Sequence, residues 1–275
     1  MMPESYRALG WTGVVLVVAL VILSSGDPAP PGLMPFTGVT PPTALAAQAA
    51  SASTMIDPLA LQLLKGMSDS LKRATSFTFT ATTTRDEVAI TGQALEFYSH
   101  SSVSVTRPNK LLVRVQGDVV DGSLWCNGQT LTLLDAPTKF YARMSAPATI
   151  DGVLDVLENK FHDPLPVASF LYADPYARLT KGLKTAFVVG EGTVGGVRNH
   201  HLAFTEAQAD WQIWIQDTPQ PVPTRLTVIY KNIPRVGSLR VSTDLTNWNL
   251  QAQVPASAYL FVAPAGAKQV PLKPR

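Results

Sequence analysis

Cysteine is almost absent from this sequence of 275 residues, which contains only Cys126. A single cysteine cannot form an intramolecular disulfide, and it excludes a zinc site built from four cysteines. We therefore expect Cys126 to be a small buried hydrophobic residue and expect the fold to depend on its apolar core.

Charge is also scarce. Charged residues make up 15% of the chain, and the formal net charge is +2. No cluster of lysine and arginine provides the positive surface that nucleic-acid binding requires, so nucleic acid is not an expected partner. Hydrophobic residues make up 46% of the chain, a balance typical of a globular protein.

Histidine is limited to four positions. His200 and His201 are adjacent in a segment with strand character, so their side chains point to opposite faces and cannot both bind one metal ion. His100 and His162 stand apart from them, and no His-Glu-x-x-His motif is present. We expect neither a metal site nor a cofactor.

Sequence motifs of enzymes are missing or out of context. Residues 190–195 have the glycine spacing of a dinucleotide-binding fingerprint, but strand-like residues follow in place of the helix that would receive a pyrophosphate. We predict a hairpin loop there. No Gly-x-Ser-x-Gly motif or P-loop is present, although a catalytic triad can be assembled in space without such a motif. We expect a protein that is not an enzyme.

The N-terminal 54 residues have the composition of segments outside a fold. In residues 1–26, Arg7 precedes a largely apolar run, and small residues follow at 24–26. This pattern predicts a signal peptide, with an uncleaved membrane anchor as the alternative. Residues 27–54 are rich in proline and alanine, which predicts a disordered linker. The folded domain is expected at residues 55–275, in the periplasm.

The folded domain begins with a predicted helix and continues with strands. Asp57 followed by Pro58 is typical of a helix start, and we predict a helix over residues 57–74. Its expected apolar face comprises Leu59, Leu63, Leu64, Met67 and Leu71. Alternating apolar and polar residues then predict eleven strands. They lie at about residues 77–82, 95–98, 111–115, 123–126, 130–133, 139–142, 186–189, 197–205, 211–216, 224–231 and 238–248.

Three local patterns define the expected architecture. Asn127-Gly128 predicts a two-residue hairpin turn with positive φ at both positions. One buried face of a strand is predicted by the alternating residues Trp211, Ile213 and Ile215. The proline-rich residues 218–223 predict a turn after this strand. A helical interlude at about 149–182 carries an apolar stripe at Ile150, Val153, Leu154, Leu157 and Phe161. We predict a mainly β fold with α-helices: one curled antiparallel sheet of about eleven strands, an unclosed barrel, with a helical lid.

Several motifs together resemble a known family. They are His200-His201-Leu202-Ala203-Phe204, Asp210-Trp211-Gln212-Ile213-Trp214-Ile215, Leu171-Tyr172-Ala173-Asp174-Pro175-Tyr176 and Asp121-Gly122-Ser123-Leu124-Trp125. They are similar to a family of predicted periplasmic proteins, the domain of unknown function numbered 2092, over nearly all of residues 55–270. That family resembles the lipoprotein carrier LolA in architecture. The resemblance implies a helix-covered, unclosed antiparallel barrel around an apolar cavity, and relatives that carry lipids or acylated proteins or bind partner proteins.

Two functional hypotheses follow, and a third is weaker. The first is a non-catalytic periplasmic carrier for an apolar ligand, such as an acyl chain, a lipid or a lipoprotein. The second is a sensor or adaptor that binds another envelope protein, which a free sheet edge or an exposed apolar patch would favour. An enzyme would need a cleft with convergent groups of shifted pKa. For the carrier, the expected ligand-binding residues are Phe79, Val113, Leu154, Leu157, Phe161, Phe170, Phe204, Trp211, Ile213 and Val228.

Overall fold

The fold is taken from a computed structural model that describes residues 56–89, 91–161, 166–233 and 237–272. The targeting segment and the linker expected in residues 1–54 lie outside the described residues. Within the described part of the chain, every helix is too short or too polar to cross a membrane.

Twelve strands form a single sheet. In chain order they are β1 (Ser76–Val88), β2 (Ala94–Thr106), β3 (Lys110–Gly117), β4 (Asp121–Asn127), β5 (Thr130–Asp135), β6 (Phe140–Ser145), β7 (Thr185–Val194), β8 (Val197–Thr205), β9 (Ala209–Gln216), β10 (Pro223–Ile233), β11 (Gly237–Asn249) and β12 (Lys268–Gln269). Their order in the sheet is β12-β6-β5-β4-β3-β2-β1-β11-β10-β9-β8-β7. Two meanders, β1 to β6 and β7 to β11, are therefore joined by the pairing of β1 with β11.

The sheet confirms the predicted architecture, with one addition. β7 and β12 are its two ends and do not pair with each other, so the barrel is unclosed. All eleven predicted strands are present. The twelfth, β12, was missed, and it pairs parallel to β6, so the sheet is not wholly antiparallel. Two residues are too few to produce an alternating pattern, which explains why the sequence does not reveal this strand.

Helix α1 (Pro58–Arg73) covers the inner face of the sheet, which we define as the face on which the helices lie. The Asp57 side chain accepts a hydrogen bond from the Leu59 N–H at 2.8 Å and Pro58 occupies the first turn, as the sequence predicts. Leu59, however, is 50% exposed, because the buried face is turned one residue further along the helix. That face comprises Ala60, Leu64, Met67 and Leu71.

The predicted helical interlude consists of three short elements. They are α2 (Ile150–Phe161), a 3-10 turn (Pro166–Phe170) and α3 (Pro175–Leu179). Asp174 caps α3 by accepting a hydrogen bond from the Ala177 N–H at 3.0 Å. We call α2 together with residues 166–179 the helical cover.

Two hairpin turns differ from their predicted positions. The turn between β4 and β5 consists of Gly128 and Gln129, and of these only Gly128 has positive φ. Asn127 ends β4, and its side chain accepts hydrogen bonds from the N–H groups of Gln129 and Thr130. This arrangement stabilises the turn from the preceding position.

The loop predicted at residues 190–195 is mostly strand. β7 continues to Val194, and the turn consists of Gly195 and Gly196, both with positive φ. A pair of residues with positive φ matches the right-handed twist of the two strands, so glycine is favoured at both positions. β8 follows directly, as the strand-like residues after the glycines predict.

The C-terminal segment packs on the outer face, opposite the helices. A 3-10 turn (Ala256–Tyr259) buries Tyr259, whose hydroxyl forms a 2.8 Å hydrogen bond with Thr106. Phe261 then contacts the rings of Trp125 and Tyr141 at centroid distances of 5.1 and 4.9 Å. The sequence analysis did not predict this contact. The C-terminal segment therefore covers part of the outer face of the β3–β6 half of the sheet.

Candidate ligand-binding site

The residues expected to bind an apolar ligand come together in one core. Eight of the ten are buried members of it: Phe79, Leu154, Leu157, Phe170, Phe204, Trp211, Ile213 and Val228. Val113 is partly buried and packs against the same core. The Phe161 side chain lies outside the described residues. The predicted inner face of β9 is confirmed, because Trp211, Ile213 and Ile215 are all buried.

The inner face is apolar across the sheet because residues of the same face are paired between neighbouring strands. Phe204 of β8 pairs with Trp211 of β9, and their rings stack at 3.9 Å between centroids. Trp211 pairs in turn with Val228 of β10. On β1, Phe79 stacks on Trp248 at 4.3 Å. A continuous apolar surface therefore extends beneath the helices.

Helix α2 closes over this surface with one apolar stripe. Ile150, Val153 and Leu154 are almost completely buried, and Leu157 is 9% exposed. The side chains recur at the spacing of a single helical face, which explains their common burial. The stripe packs into the core, so the interior beneath α2 is filled by side chains.

Polar contacts hold α2 to the rest of the helical cover. Glu158 accepts two hydrogen bonds from Arg178, at 2.5 and 2.7 Å. Asp155 accepts a hydrogen bond from the Tyr172 hydroxyl at 3.0 Å, and Asp151 accepts one from the Ala173 N–H at 2.9 Å. The apolar side of α2 thus faces the sheet and its charged side chains face the segment that follows.

Arg107 connects the sheet to the cover. Its guanidinium lies above the Phe77 ring at 5.6 Å and donates hydrogen bonds to the main-chain oxygens of Leu171 and Tyr172, at 3.1 and 3.0 Å. Burial lowers the pKa of this guanidinium. Next to Arg107, the Pro108 carbonyl accepts a 2.8 Å hydrogen bond from the Ile150 N–H at the start of α2. We call these contacts, together with those of Glu158 and Asp155, the latch.

Tyr172 is the most strongly perturbed titratable group of the cover. Burial raises the pKa of its hydroxyl, and the hydrogen bond to Asp155 and the nearby charge of Glu158 raise it further. The hydroxyl therefore remains protonated and acts as a hydrogen-bond donor to Asp155. Tyr172 and Leu171 belong to a motif that carried the family resemblance, but the sequence alone did not assign them this role. Arg107, Asp155, Glu158 and Arg178 were missed altogether, because isolated polar residues give no periodic signal.

Two surface clefts lie at the margin of this core and share Gln220, Leu250 and Gln251. The smaller, about 520 Å³, is at the C-terminal end of α1 beside residues 250–253. The larger, about 980 Å³, lies at the ends of β10 and β11 beside the β7–β8 turn, and we call it the polar cleft. Neither is lined by any of the ten expected ligand-binding residues.

The histidines lie on opposite faces of β8, as the sequence predicts. His201 stacks on Trp214 at 4.0 Å on the outer face, and His200 lies 3.4 Å from Asp217. Over the described ranges, no three histidine, cysteine, aspartate or glutamate side chains are grouped so that they could hold a metal ion.

Sequence comparison gives the family. Residues 60–273 match the family described as "Predicted periplasmic protein (DUF2092)". The chain belongs to this family. The family description agrees with the periplasmic location expected from the N-terminal segment. No curated protein matches the sequence.

Solved structures show only distant likeness. An uncharacterized conserved protein from Thermus thermophilus is 9% identical with a TM-score of 0.45, over 78% of this chain and 99% of that one. LprF from Mycobacterium bovis is 13% identical with a TM-score of 0.44, over 73% and 98% of the two chains. The lipoprotein LppX of Mycobacterium tuberculosis is 12% identical with a TM-score of 0.42, over 72% and 100%. These values are too low to transfer a function.

Proposed function

We propose that this protein is a non-catalytic periplasmic binding protein or carrier for an apolar ligand, such as the acyl chain of a lipid or lipoprotein. The ligand would lie between α2 and the inner face of the sheet. The main support is the two-sided character of α2. Its apolar stripe faces an apolar sheet, whereas its acidic side chains are hydrogen-bonded to the rest of the cover.

Binding requires α2 to move, because the interior is filled in the closed structure. Burying an aliphatic side chain contributes about 1.5–3 kcal/mol, so exposing the four residues of the stripe would cost about 6–12 kcal/mol. An acyl chain contributes about 0.8 kcal/mol for each buried methylene, or about 8 kcal/mol for ten. The two amounts are similar, so an acyl chain inserted between the stripe and the sheet can offset the cost of separating them, and the stripe then contacts the ligand. Affinity should therefore increase steeply with chain length.

The test is titration with a series of fluorescent fatty acids of increasing length. Leu157→Glu is the informative variant, because Leu157 is more exposed than Ile150, Val153 or Leu154, so the substitution is less damaging there than at those three positions. Leu59→Glu is the matched control, since it places the same charge on a leucine that is half exposed on α1. Circular dichroism and a cooperative melt establish that both variants are folded.

The carrier proposal predicts saturable binding by the wild-type protein and by Leu59→Glu, and its loss in Leu157→Glu. Affinity that does not change with chain length would contradict it, as would equal binding by both variants. If no fatty acid of the series binds, the adaptor function described next becomes the preferred proposal.

The second candidate is an adaptor that binds another envelope protein, and the free edge at β7 favours it. Ile56 pairs with β7 only at Ala186, and beyond that point the described residues provide no second neighbour for the strand. Phe187 and Val189 are 40% and 49% exposed on this edge. A partner could add a strand there and cover both side chains. Val189→Lys should abolish partner cross-linking in intact envelopes, with Val262→Lys as the control at a remote exposed valine.

A further inference from the structure

The polar cleft is a second place where a small molecule could bind, and it shares no lining residue with the helical cover. Its volume of about 980 Å³ is at the upper end of the range of about 300–1000 Å³ for small-molecule sites. Its wall is formed by the ends of β10 and β11, by residues 193–195 and 197, and by the segment that follows β11. Nothing in the proposed carrier function uses it.

Uncharged amides dominate the chemistry of the cleft. The side chains of Gln216, Gln220 and Gln251 line it and form no hydrogen bond with the described residues. Each amide has a donor group and an acceptor group, so each can bind a hydroxyl in either direction. Asn247 and Asn249 also line the cleft, but the Asn247 amide donates to the Thr80 hydroxyl at 3.0 Å and the Asn249 oxygen accepts from the Gln251 N–H at 3.0 Å. This set suits a neutral ligand that is rich in hydroxyl groups.

An ion pair in the wall of the cleft has unused hydrogen-bonding capacity. The Arg225 Nε lies 3.3 Å from the Asp244 Oδ1, but this oxygen is shielded from solvent and accepts no hydrogen bond from the described residues. A ligand hydroxyl cannot reach an oxygen shielded in this way, but the two side chains are 40% and 44% exposed, so the pair still presents polar groups to the cleft. Because the two charges cancel, the pair does not select for a charged ligand.

An aromatic ring stands in the same wall. Trp248 lines the cleft while one of its faces is stacked on Phe79 and its Nε1–H donates to the Pro223 carbonyl at 2.8 Å. The ring is therefore fixed in position by contacts on the protein side. A rigid aromatic surface bordered by amides can contact the apolar C–H groups of a sugar ring while the amides bind its hydroxyls.

β10 and β11, which form most of the wall, do not favour an extended peptide as the ligand, whereas β7, which borders the cleft at Thr193 and Val194, is the edge strand considered above for a protein partner. β10 is paired with β9 and β11, and β11 is paired with β10 and β1. Neither strand offers a free edge to which a peptide could add by main-chain hydrogen bonds. Recognition by β10 and β11 therefore has to come from their side chains.

We propose that the polar cleft binds a neutral saccharide chain. The test uses two neutral probes, chitotriose and maltotriose, which differ in whether they carry N-acetyl groups. Each is titrated into the ¹⁵N-labelled protein, and the side-chain amide signals of the glutamines are followed by NMR. The informative variant is Gln220→Ala combined with Gln251→Ala, because both amides are exposed and unbonded, so their removal leaves the fold intact. The matched control is Gln93→Ala combined with Gln208→Ala, two exposed glutamines outside the cleft.

The expected result is saturable binding of at least one probe, with shifts at the cleft glutamines, including Gln216, which lines the polar cleft and not the smaller one, and none at Gln93 or Gln208. The loss of two hydrogen bonds should weaken binding by about five- to hundredfold in the cleft variant and leave the control unchanged. The proposal is overturned if neither probe binds at millimolar concentration, if both double variants lose affinity equally, or if the shifts occur elsewhere. None of these outcomes depends on whether the protein carries an acyl chain.

Discussion

Replacing Trp211 by alanine should destabilise the fold more than any other single change in β9. Trp211 is only 5% exposed, and its ring stacks on Phe204 at 3.9 Å with 15° between the planes. Truncating a buried aromatic side chain to alanine costs about 3–5 kcal/mol. The hydrogen bond from its Nε1–H to Glu206 adds little, because the carboxylate is partly exposed and water can replace the donor.

The neighbouring Trp214 provides a matched comparison in the same strand. It lies on the outer face, half-buried, where it stacks on His201 at 4.0 Å and lies beneath Arg225 at 5.8 Å. Its truncation loses one aromatic contact and little buried area, so we expect a cost of about 1–2 kcal/mol. His201→Ala should cost less still.

Urea denaturation gives the free energy of unfolding for each variant. The free energy of unfolding of a typical domain is about 5–15 kcal/mol, so Trp211→Ala should remove a large share of the stability. In a thermal melt, the same loss corresponds to a decrease of about 6–20 °C in Tm. If Trp214→Ala were the more damaging of the two, the faces of β9 would be inverted and the entire inner core would be wrongly assigned.

Three further predictions concern the termini, the latch and the acid stability of α3. Deleting residues 1–54 should leave the melt cooperative and the Tm unchanged, because every described residue of the hydrophobic core lies beyond that point; a broad melt would contradict this. Glu158→Gln weakens the ion pair with Arg178, so opening the helical cover should cost less free energy. We expect lower stability and acyl-chain binding that is about two- to fivefold tighter. Weaker binding by a folded variant would contradict the proposed role of the latch. Asp174→Ala should cost about 1 kcal/mol, because it removes the cap of α3 and the contact with Lys72. The cap and Lys72 hold the pKa of the Asp174 carboxyl below its usual value. The difference in stability between the wild-type protein and Asp174→Ala should therefore persist from neutral pH to about pH 4 and shrink on further acidification. A difference that does not depend on pH would contradict the role of Asp174 as a charged cap.

Local rules account for most of the fold that the sequence predicted. The alternation of Phe77 and Phe79 with threonines places β1, and the Asp57-Pro58 and Asp174-Pro175 pairs begin two helices where the structure has them. In each case the signal lies within a few residues and reflects a backbone or capping preference that neighbouring chain segments do not override. Leu59 is the exception, because the orientation of α1 is set by the sheet beneath it.

The latch could not be predicted in this way. Arg107 reaches main-chain oxygens that are 64 and 65 residues further along the chain. Main-chain oxygens are present at every residue, so the sequence contains no mark of the acceptor. The same reasoning applies to β12, whose pairing with β6 depends on the path of the C-terminal segment across the outer face.

The filled interior is the state that a carrier without its ligand should adopt. An empty apolar cavity costs about 24 cal/mol for each Å³, so a cavity of about 300 Å³ would cost about 7 kcal/mol, comparable to the stability of a domain. A helix with an apolar stripe can remove this cost by moving onto the sheet. The apolar faces of Leu154 and Leu157 would then occupy the place of the ligand, and the polar contacts of Glu158 and Asp155 would set how readily they leave it. On this reasoning, ligand affinity and the stability of the cover are two measures of one equilibrium, and a change in the latch must alter them in opposite directions.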